Sequence, residues 1–331
     1  MKNTSKETTL YPLVFKPIFK EKIWGGTRLS TVLNKDCAHI TNCGESWELS
    51  EVKGDVSIIS NGVFAGESFS TIIQSYPQEL LGNKVYQKYG KNFPLLIKFI
   101  DANKDLSIQV HPNDELALAR HNCMGKSEMW YLVDSLPNTS LISGFSKTSN
   151  QEEYLKHLEA GTLSDILHQE KVKKGDIFYI PAGRVHTIGK GCLIAEIQQT
   201  SDVTYRIYDF NRKDKNGNTR ELHTELALEA IDYTKHSQYK TDYTDKLNEK
   251  TLVVEAPYFT TNKLRFNQEV ILSYDELDSF VALTCVEGGF TLTTPTSKDK
   301  ITAGQVVLIP ASINQVSLSP LGEASVLETY I

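Results

Sequence analysis

No stretch of this chain approaches the ~20 consecutive apolar residues of a membrane-spanning helix. Met1 to Leu10 is polar and lacks the apolar centre of a secretory signal. The sequence has no CxxC pair, and its five cysteines, Cys37, Cys43, Cys123, Cys192 and Cys285, are scattered and odd in number. That argues against a disulfide framework and against a thiolate zinc site. There is no excess of basic charge either: the net charge is −6, so no global surface offers itself to nucleic acid or to an anionic membrane. Together these absences imply a cytoplasmic protein with reduced thiols. An anionic substrate would have to find a local basic pocket inside an acidic protein.

What is present is β-rich and punctuated by turns. The 331 residues suffice for two domains, or one large β domain with additions. Short strand-like runs occur at Leu13–Phe19, Ser46–Glu51 and Val56–Ser60, and Phe93–Asp101 reads as a buried strand because its apolar residues are nearly continuous. Further strands are predicted at Glu128–Asp134, Thr139–Ser143, Ile177–Pro181, Cys192–Gln199 and Thr204–Phe210. Helical patterns interrupt them at about 64–90, 112–122, 150–169 and 220–233. Residues 1–12 read as a flexible N-terminus, 13–233 as a first domain carrying these insertions, 234–250 as a linker, and 251–331 as a second β domain.

One segment is echoed. Gly175-Asp-Ile-Phe-Tyr-Ile-Pro181-Ala-Gly183 matches Gly304-Gln-Val-Val-Leu-Ile-Pro310-Ala-Ser312: a turn glycine, a short strand and a Pro-Ala-small corner. The repeat implies two copies of one β module. His186 follows the corner in the first copy and Gln315 takes its place in the second, so metal chemistry is expected in the first copy only.

In Ser107-Ile-Gln109-Val-His111, strand alternation projects Gln109 and His111 to one face. Lys126-Ser-Glu128-Met-Trp130 opens another strand with Lys126 and Glu128 on one face, and His186 follows the glycine–proline–glycine corner. A lone buried histidine is ordinarily a hydrogen-bonded core residue. The combination of one amide, two imidazoles and one carboxylate, without a thiolate, instead suits a borderline divalent cation with open coordination positions: Zn²⁺, or Mn²⁺, Fe²⁺ or Ni²⁺.

These motifs carry a resemblance. Gly175…Pro181-Ala-Gly183…His186 is similar to the second cupin motif. Gln109-Val-His111-Pro112 with Lys126-Ser-Glu128-Met-Trp130 resembles the first cupin motif as the phosphomannose isomerases split it, with a helical insertion between its halves. Lys16-Pro17…Trp24-Gly25-Gly26, Glu45-Ser-Trp47-Glu48, Lys98-Phe-Ile-Asp101-Ala102 and Gln198…Tyr205-Arg206…Tyr208-Asp209 extend the match from about Leu13 to the end. The chain resembles the short bacterial form of the type I phosphomannose isomerase family, in the cupin superfamily.

The resemblance implies a mainly β fold of two cupin-like jelly-roll modules with helical insertions, the first holding metal and the second not. It implies four ligands, Gln109, His111, Glu128 and His186, for one Zn²⁺ or related ion per chain. The implied activity interconverts mannose 6-phosphate and fructose 6-phosphate through an enediol.

Arg206 is expected to face the substrate, on its phosphate or its enediolate, since a guanidinium matches oxyanions bidentately. Lys126 should point into the same pocket. Lys98, on an apolar run, is either an ion-pair partner or a pocket residue. Glu196, flanked by Ala195 and Ile197, is the candidate base because burial raises a carboxyl pKa; Glu45, Glu48 and Asp209 are lesser candidates. Trp24 and Glu48 are expected to contribute to substrate binding. The expected partner is a small sugar phosphate, with neither nucleic acid nor membrane, and the chain is expected to be a monomer or weak homodimer. The competing readings are another cupin metalloenzyme, such as a dioxygenase, and a non-catalytic sugar-binding bicupin.

Overall fold

The structure, a computed structural model, describes residues 9–213 and 216–331. The expected flexible terminus therefore lies largely outside the described residues. Of its remainder, Leu10 and Tyr11 are buried and the Tyr11 hydroxyl donates to the Asn61 carbonyl, so these two residues belong to the packed fold.

The described residues are mainly β and form two compact units that interleave along the sequence. One comprises residues 17–55 and 94–243. The other comprises residues 9–16, 56–93 and 244–331. This division differs from a single cut at 234–250. Residues 64–90, expected as an insertion in the first domain, pack instead with the C-terminal strands: the backbone of Asn83 donates to Asp278, and Phe93 packs its ring on Phe280 at 4.6 Å.

The first unit has two sheets. Six antiparallel strands run in the order Ile177–Ile180, Glu128–Ser135, Cys192–Gln199, Leu95–Asp101, Cys43–Leu49, Ile18–Gly26. Five more run in the order Leu167–Lys171, Ser140–Phe145, His186–Thr187, Ile108–Val110, Tyr205–Tyr208. Trp130, Phe178, Ile180 and Ile194 of the larger sheet share a core with Leu141 of the smaller one and with Ile188, which follows its strand His186–Thr187, so the two apolar faces pack against each other. Strands Leu95–Asp101 and Cys192–Gln199 are buried along their whole length, which explains their nearly unbroken apolar sequence.

The insertions are shorter than the sequence pattern suggests. Residues 112–122 yield the helix Asp114–His121, capped by the Asn113 side chain accepting from Leu116 N–H. Residues 150–169 do not form one helix: Gln151–Glu159 is helical, Gly161 turns the chain at φ 69°, and Leu167–Lys171 becomes an edge strand. Residues 220–233 contribute only Thr224–Ala230. The run 66–89 splits into three helices, Phe69–Ser75, Pro77–Leu81 and Asn83–Tyr89, because Pro77 cannot continue the helix before it and Gly82 adopts φ 86°.

The second unit has a seven-stranded and a four-stranded sheet whose facing residues, among them Leu283, Val307 and Val326 on one and Phe290, Leu292 and Val316 on the other, form an apolar core. The sequence echo is a repeat in three dimensions. Gly175 and Gly304 have φ 90° and 91°. The Gly175 N–H donates to Leu132 O and the Gly304 N–H to Cys285 O, both at 2.8 Å. In the strand registers Glu128 opposes Ile180 in one unit, and Val281 opposes Ile309 in the other. Val281 thus holds the ladder position of Glu128. No helix among the described residues is long and apolar enough to cross a membrane.

Candidate metal centre and active site

Strand register assembles the site from distant parts of the sequence. Across the larger sheet, Trp47, Lys98, Glu196, Trp130 and Phe178 stand opposite one another in a single row, and Gln198, Glu128 and Ile180 form a parallel one. Across the smaller sheet, Ser143, His186, Gln109 and Arg206 form a row of their own. The rows meet within the first unit: the Trp130 ring lies 5.3 Å, edge-on, from the His186 ring.

His111 and His186 are oriented alike. His111 Nδ1 lies 3.0 Å from Val203 O and His186 Nδ1 lies 2.8 Å from Arg184 O. With protons on Nδ1, each ring presents an Nε2 lone pair, and each Nε2 faces Glu128, at 3.4 Å and 3.5 Å. The ligand atoms of His111, Glu128 and His186 all lie within 4.8 Å of one another. The Gln109 amide lies beside them: its Nε2 donates to His186 Nε2 at 3.2 Å, and its Oε1, the atom that would bind a cation, accepts from Ser107 Oγ at 3.3 Å, so the amide would turn over to serve as a ligand.

Both Glu128 oxygens and His111 Nε2 are buried without a hydrogen-bond partner among the described residues. Buried polar atoms are seldom left unsatisfied, and a carboxylate facing two imidazole lone pairs is unfavourable unless something positive stands between them. The donor set fits a divalent cation of intermediate softness. Protonation favours the same fit. Burial, aided by the Lys126 charge, pushes His111 down to about 3, and burial also lowers His186. Burial works against the Glu128 charge, but Lys126 and His111 outweigh it and hold the carboxyl below its usual range.

A cavity of about 250 Å³ adjoins this cluster. Its wall carries five cationic side chains, Lys22, Lys98, Lys126, Arg206 and Arg220, against three acids, Glu45, Glu196 and Asp202. A local positive excess inside a chain of net charge −6 suits an anionic ligand. Lys126 Nζ lies 3.6 Å from Glu128 Oε2. Lys98 combines the two roles considered for it: it lines the cavity and pairs with Glu196 at 2.9 Å. Glu196 also accepts from Trp130 Nε1 at 2.9 Å. Its carboxyl is raised by burial first and by the Glu128 charge second, with Lys98 opposing. The rise thus comes from burial together with the Glu128 charge, against the pull of the ion pair, and not from the apolar flanks Ala195 and Ile197 alone.

Arg206 lines the cavity, with its Nη1 donating to Glu221 O at 2.9 Å and its Nε buried without a hydrogen-bond partner among the described residues. Trp24 also lines it. Glu48, expected at the substrate, does not. It lies on the opposite face of strand Cys43–Leu49 from Glu45 and Trp47, buried, 2.7 Å from Lys35 and accepting from Ser46. The acid of that strand that reaches the cavity is Glu45, which accepts from Trp47 Nε1 at 2.8 Å and pairs with Lys22 at 3.4 Å. Asp209 is buried between Arg212 and Arg220. Lys22 and Arg220 were not anticipated. The alternation Lys22-Ile-Trp24 could have indicated the first, but Arg220 carried no signal at the start of an expected helix.

Comparison with known proteins agrees with this geometry. Residues 13–132 match the family model for the type I phosphomannose isomerase catalytic domain, and residues 248–330 match the mannose-6-phosphate isomerase cupin domain. The chain is 36% identical over 321 residues to mannose-6-phosphate isomerase ManA of Bacillus subtilis, covering 96% of this chain and 99% of the relative. It is 33% identical to mannose-6-phosphate isomerase of Streptococcus mutans, over 91% and 93% of the two chains. The crystal structure of the mannose 6-phosphate isomerase from Bacillus subtilis superposes with a TM-score of 0.87 at 30% identity, covering 97% of this chain and 99% of that one. The chain belongs to the type I phosphomannose isomerase family.

Proposed function

We propose that this chain interconverts mannose 6-phosphate and fructose 6-phosphate through an enediol, in the cavity beside His111, Glu128 and His186. The observation that carries the reading is the juxtaposition of an unpartnered, buried donor cluster with a cavity wall of five cations and three acids. Family membership supports the same assignment.

Gln109, His111, Glu128 and His186 would hold one divalent ion, Zn²⁺ by its donor preferences, and when bound it supplies Lewis-acid stabilisation to charge developing on the sugar oxygens. The remaining chemistry falls to the chain's own groups. Aldose–ketose exchange moves a proton between C2 and C1 and another between the two oxygens. Glu196, kept among Lys98 and Trp130, is the base for the carbon-bound proton, since its raised pKa brings it closer to the pH at which it works. Lys98 holds that carboxylate in place. Lys126, beside Glu128, faces the reacting end and offsets enediolate charge.

Arg206 and Arg220 receive the phosphate. Burial and then the nearby Arg220 charge lower the Arg206 pKa, a crowding of like charge that an anion between them relieves. Trp24 walls the sugar, and Glu45 is a second acid within reach. Neither competing reading, a dioxygenase or a sugar-binding bicupin, calls for five cations around the cavity. The five unpaired cysteines and a sugar-phosphate substrate fit a cytoplasmic enzyme.

The test is turnover of mannose 6-phosphate in a coupled assay, before and after chelation, with single metals added back. Loss on chelation and recovery with one divalent ion are expected. A fully loaded protein that leaves mannose 6-phosphate unchanged would falsify the reading.

A further inference from the structure

Asp209 follows strand Tyr205–Tyr208 and is 5% exposed. Its carboxylate is shared by two guanidinium groups. Arg220 Nε donates to Oδ2 at 2.8 Å and Arg220 Nη2 to Oδ1 at 2.6 Å, a bidentate grip. Arg212 donates from Nε to Oδ1 at 3.1 Å and from Nη2 to the same oxygen. Arg212 Nη1 donates to the Asp105 carbonyl, and the Arg212 guanidinium stacks on Phe210 at 5.2 Å. The residues between, Phe210 and Asn211, both have left-handed backbones, φ 55° and 52°. Asparagine tolerates that conformation, but a phenylalanine adopts it at a steric cost that the surrounding contacts must offset. Of the two arginines held by Asp209, Arg220 lines the cavity and Arg212 does not.

An acid placed at a phosphate-binding wall is at first sight counterproductive, because its charge repels the ligand. Its geometry resolves the conflict. Three guanidinium groups, on Arg206, Arg212 and Arg220, crowd one another electrostatically. Burial opposes charge on Asp209, but its hydrogen bonds to Arg220 and Arg212 outweigh burial and keep it ionised. Without Asp209, Arg220 would be a long side chain repelled by its neighbours. With it, Nε and Nη2 are fixed, and Nη1, which meets no hydrogen-bond acceptor among the described residues, is left for a ligand. We infer that Asp209 is a positioning residue for the phosphate of the substrate: it touches no substrate atom, and it fixes Arg220 beside Arg206 so that both meet the same anion. This rests on the isomerase reading above.

The experiment compares wild type and Asp209→Asn as metal-loaded enzymes, with inorganic phosphate as competing probe. Positioning predicts that KM for mannose 6-phosphate and the inhibition constant for phosphate rise together, by about tenfold or more. It also predicts kcat within about threefold of wild type, with metal content unchanged. A purely electrostatic role predicts the opposite sign, tighter phosphate binding once the negative charge is gone. Constants that fall or stay put overturn the inference, as does loss of kcat or of metal with KM unchanged. If Asp209→Asn does not fold, Arg220→Lys retains the charge but not the fork, and both constants should rise again; wild-type values there also overturn it. Failure of wild type to turn over mannose 6-phosphate sinks the isomerase reading itself, whereas an active wild type with an indistinguishable Asp209→Asn sinks only the role of Asp209.

Discussion

Lys98 Nζ lies 2.9 Å from Glu196 Oε1, and the two residues stand directly opposite each other on neighbouring buried strands. Burial would discharge Lys98, but Glu196 and then Glu45 outweigh it and hold the ammonium charged. A carboxylate acting as base must be ionised, so kcat/KM falls as pH drops through a Glu196 pKa that lies above the usual 4.5. Lys98→Met removes the one neighbouring charge that pulls hardest the other way. The acid limb of the pH–rate profile should therefore move to higher pH in that variant. Glu196→Gln should lose about 10²–10⁴ in kcat while retaining metal. An acid limb that does not move in Lys98→Met would dissociate Glu196 from the proton transfer.

The metal centre makes a separate prediction with a definite sign. His111 titrates at about 3 and His186 is also lowered, so both imidazoles stay neutral in the fold well below the ordinary value of 6.5. In metal-stripped protein the unfolded chain takes up those protons first as pH falls. Stability is then complete above about 6.5 and is lost as pH drops from there toward about 3. The fall in urea midpoint between pH 7 and pH 5 should be smaller in stripped His111→Gln than in stripped wild type. In loaded protein, His111→Ala or Glu128→Gln should lose at least the 10–100-fold in metal affinity that follows removal of merely supporting groups. Metal titration of each purified variant checks it, and wild-type affinity in both would remove them from the ligand set.

Glu45 and Glu48 are three residues apart and face opposite ways. Glu48→Ala leaves the buried Lys35 without its carboxylate, and breaking one side of a buried pair costs about 3–5 kcal/mol. The unfolding midpoint should drop accordingly, while kcat/KM of the folded enzyme stays at wild type. Glu45→Gln retains the shape but weakens the hold on Lys22 and Trp47 at the cavity wall. Charge-assisted hydrogen bonds are worth about 1.5–3 kcal/mol, so kcat/KM should change by about tenfold or more. Steady-state kinetics set beside urea unfolding separate the two, and a kinetic defect in Glu48→Ala without loss of stability would reverse this assignment.

That pair also shows where sequence reading stopped. Gln109, His111, Glu128 and His186 could be grouped because strand alternation and a turn–proline–turn corner leave legible marks, and the structure gathers them in one cluster. Glu45-Ser-Trp47-Glu48 offered two acids, and nothing local to the motif told which face of a fully buried strand meets the cavity. The helix expected over 150–169 failed for a related reason: apolar spacing continues through Leu163, Ile166 and Leu167, but Gly161 redirects the chain and those residues are buried from a 3₁₀ turn and an edge strand. Arg220 reaches the cavity through a tertiary clamp on Asp209, which no periodicity encodes. The interleaving of the two units is likewise a matter of long-range pairing, as in Leu13 against Leu308.

The repeated turn supplies a test of the fold that does not depend on catalysis. Gly175 and Gly304 both adopt left-handed backbones, and each donates its N–H to the equivalent carbonyl of its own module. Around Gly175 the space is open, since an added Cβ would meet only the Tyr243 hydroxyl at 3.6 Å. The cost of alanine there is conformational, about 1–2 kcal/mol, and at least that cost is expected at Gly304, which shares the φ angle but is buried where Gly175 is half-buried. Asparagine, which tolerates this region better, should cost less at both sites. Gly183→Ala should cost more than Gly175→Ala: its φ is 89° and its Cβ would sit 2.9 Å from the Ala230 carbonyl, on the corner that leads to His186. It should therefore weaken metal binding as well, while Gly304→Ala, in the module where Val281 replaces Glu128, leaves metal content untouched. Denaturant midpoints with metal analysis decide the matter, and a smaller cost at Gly304 than at Gly175 would mean that the shared φ does not set the cost at both turns.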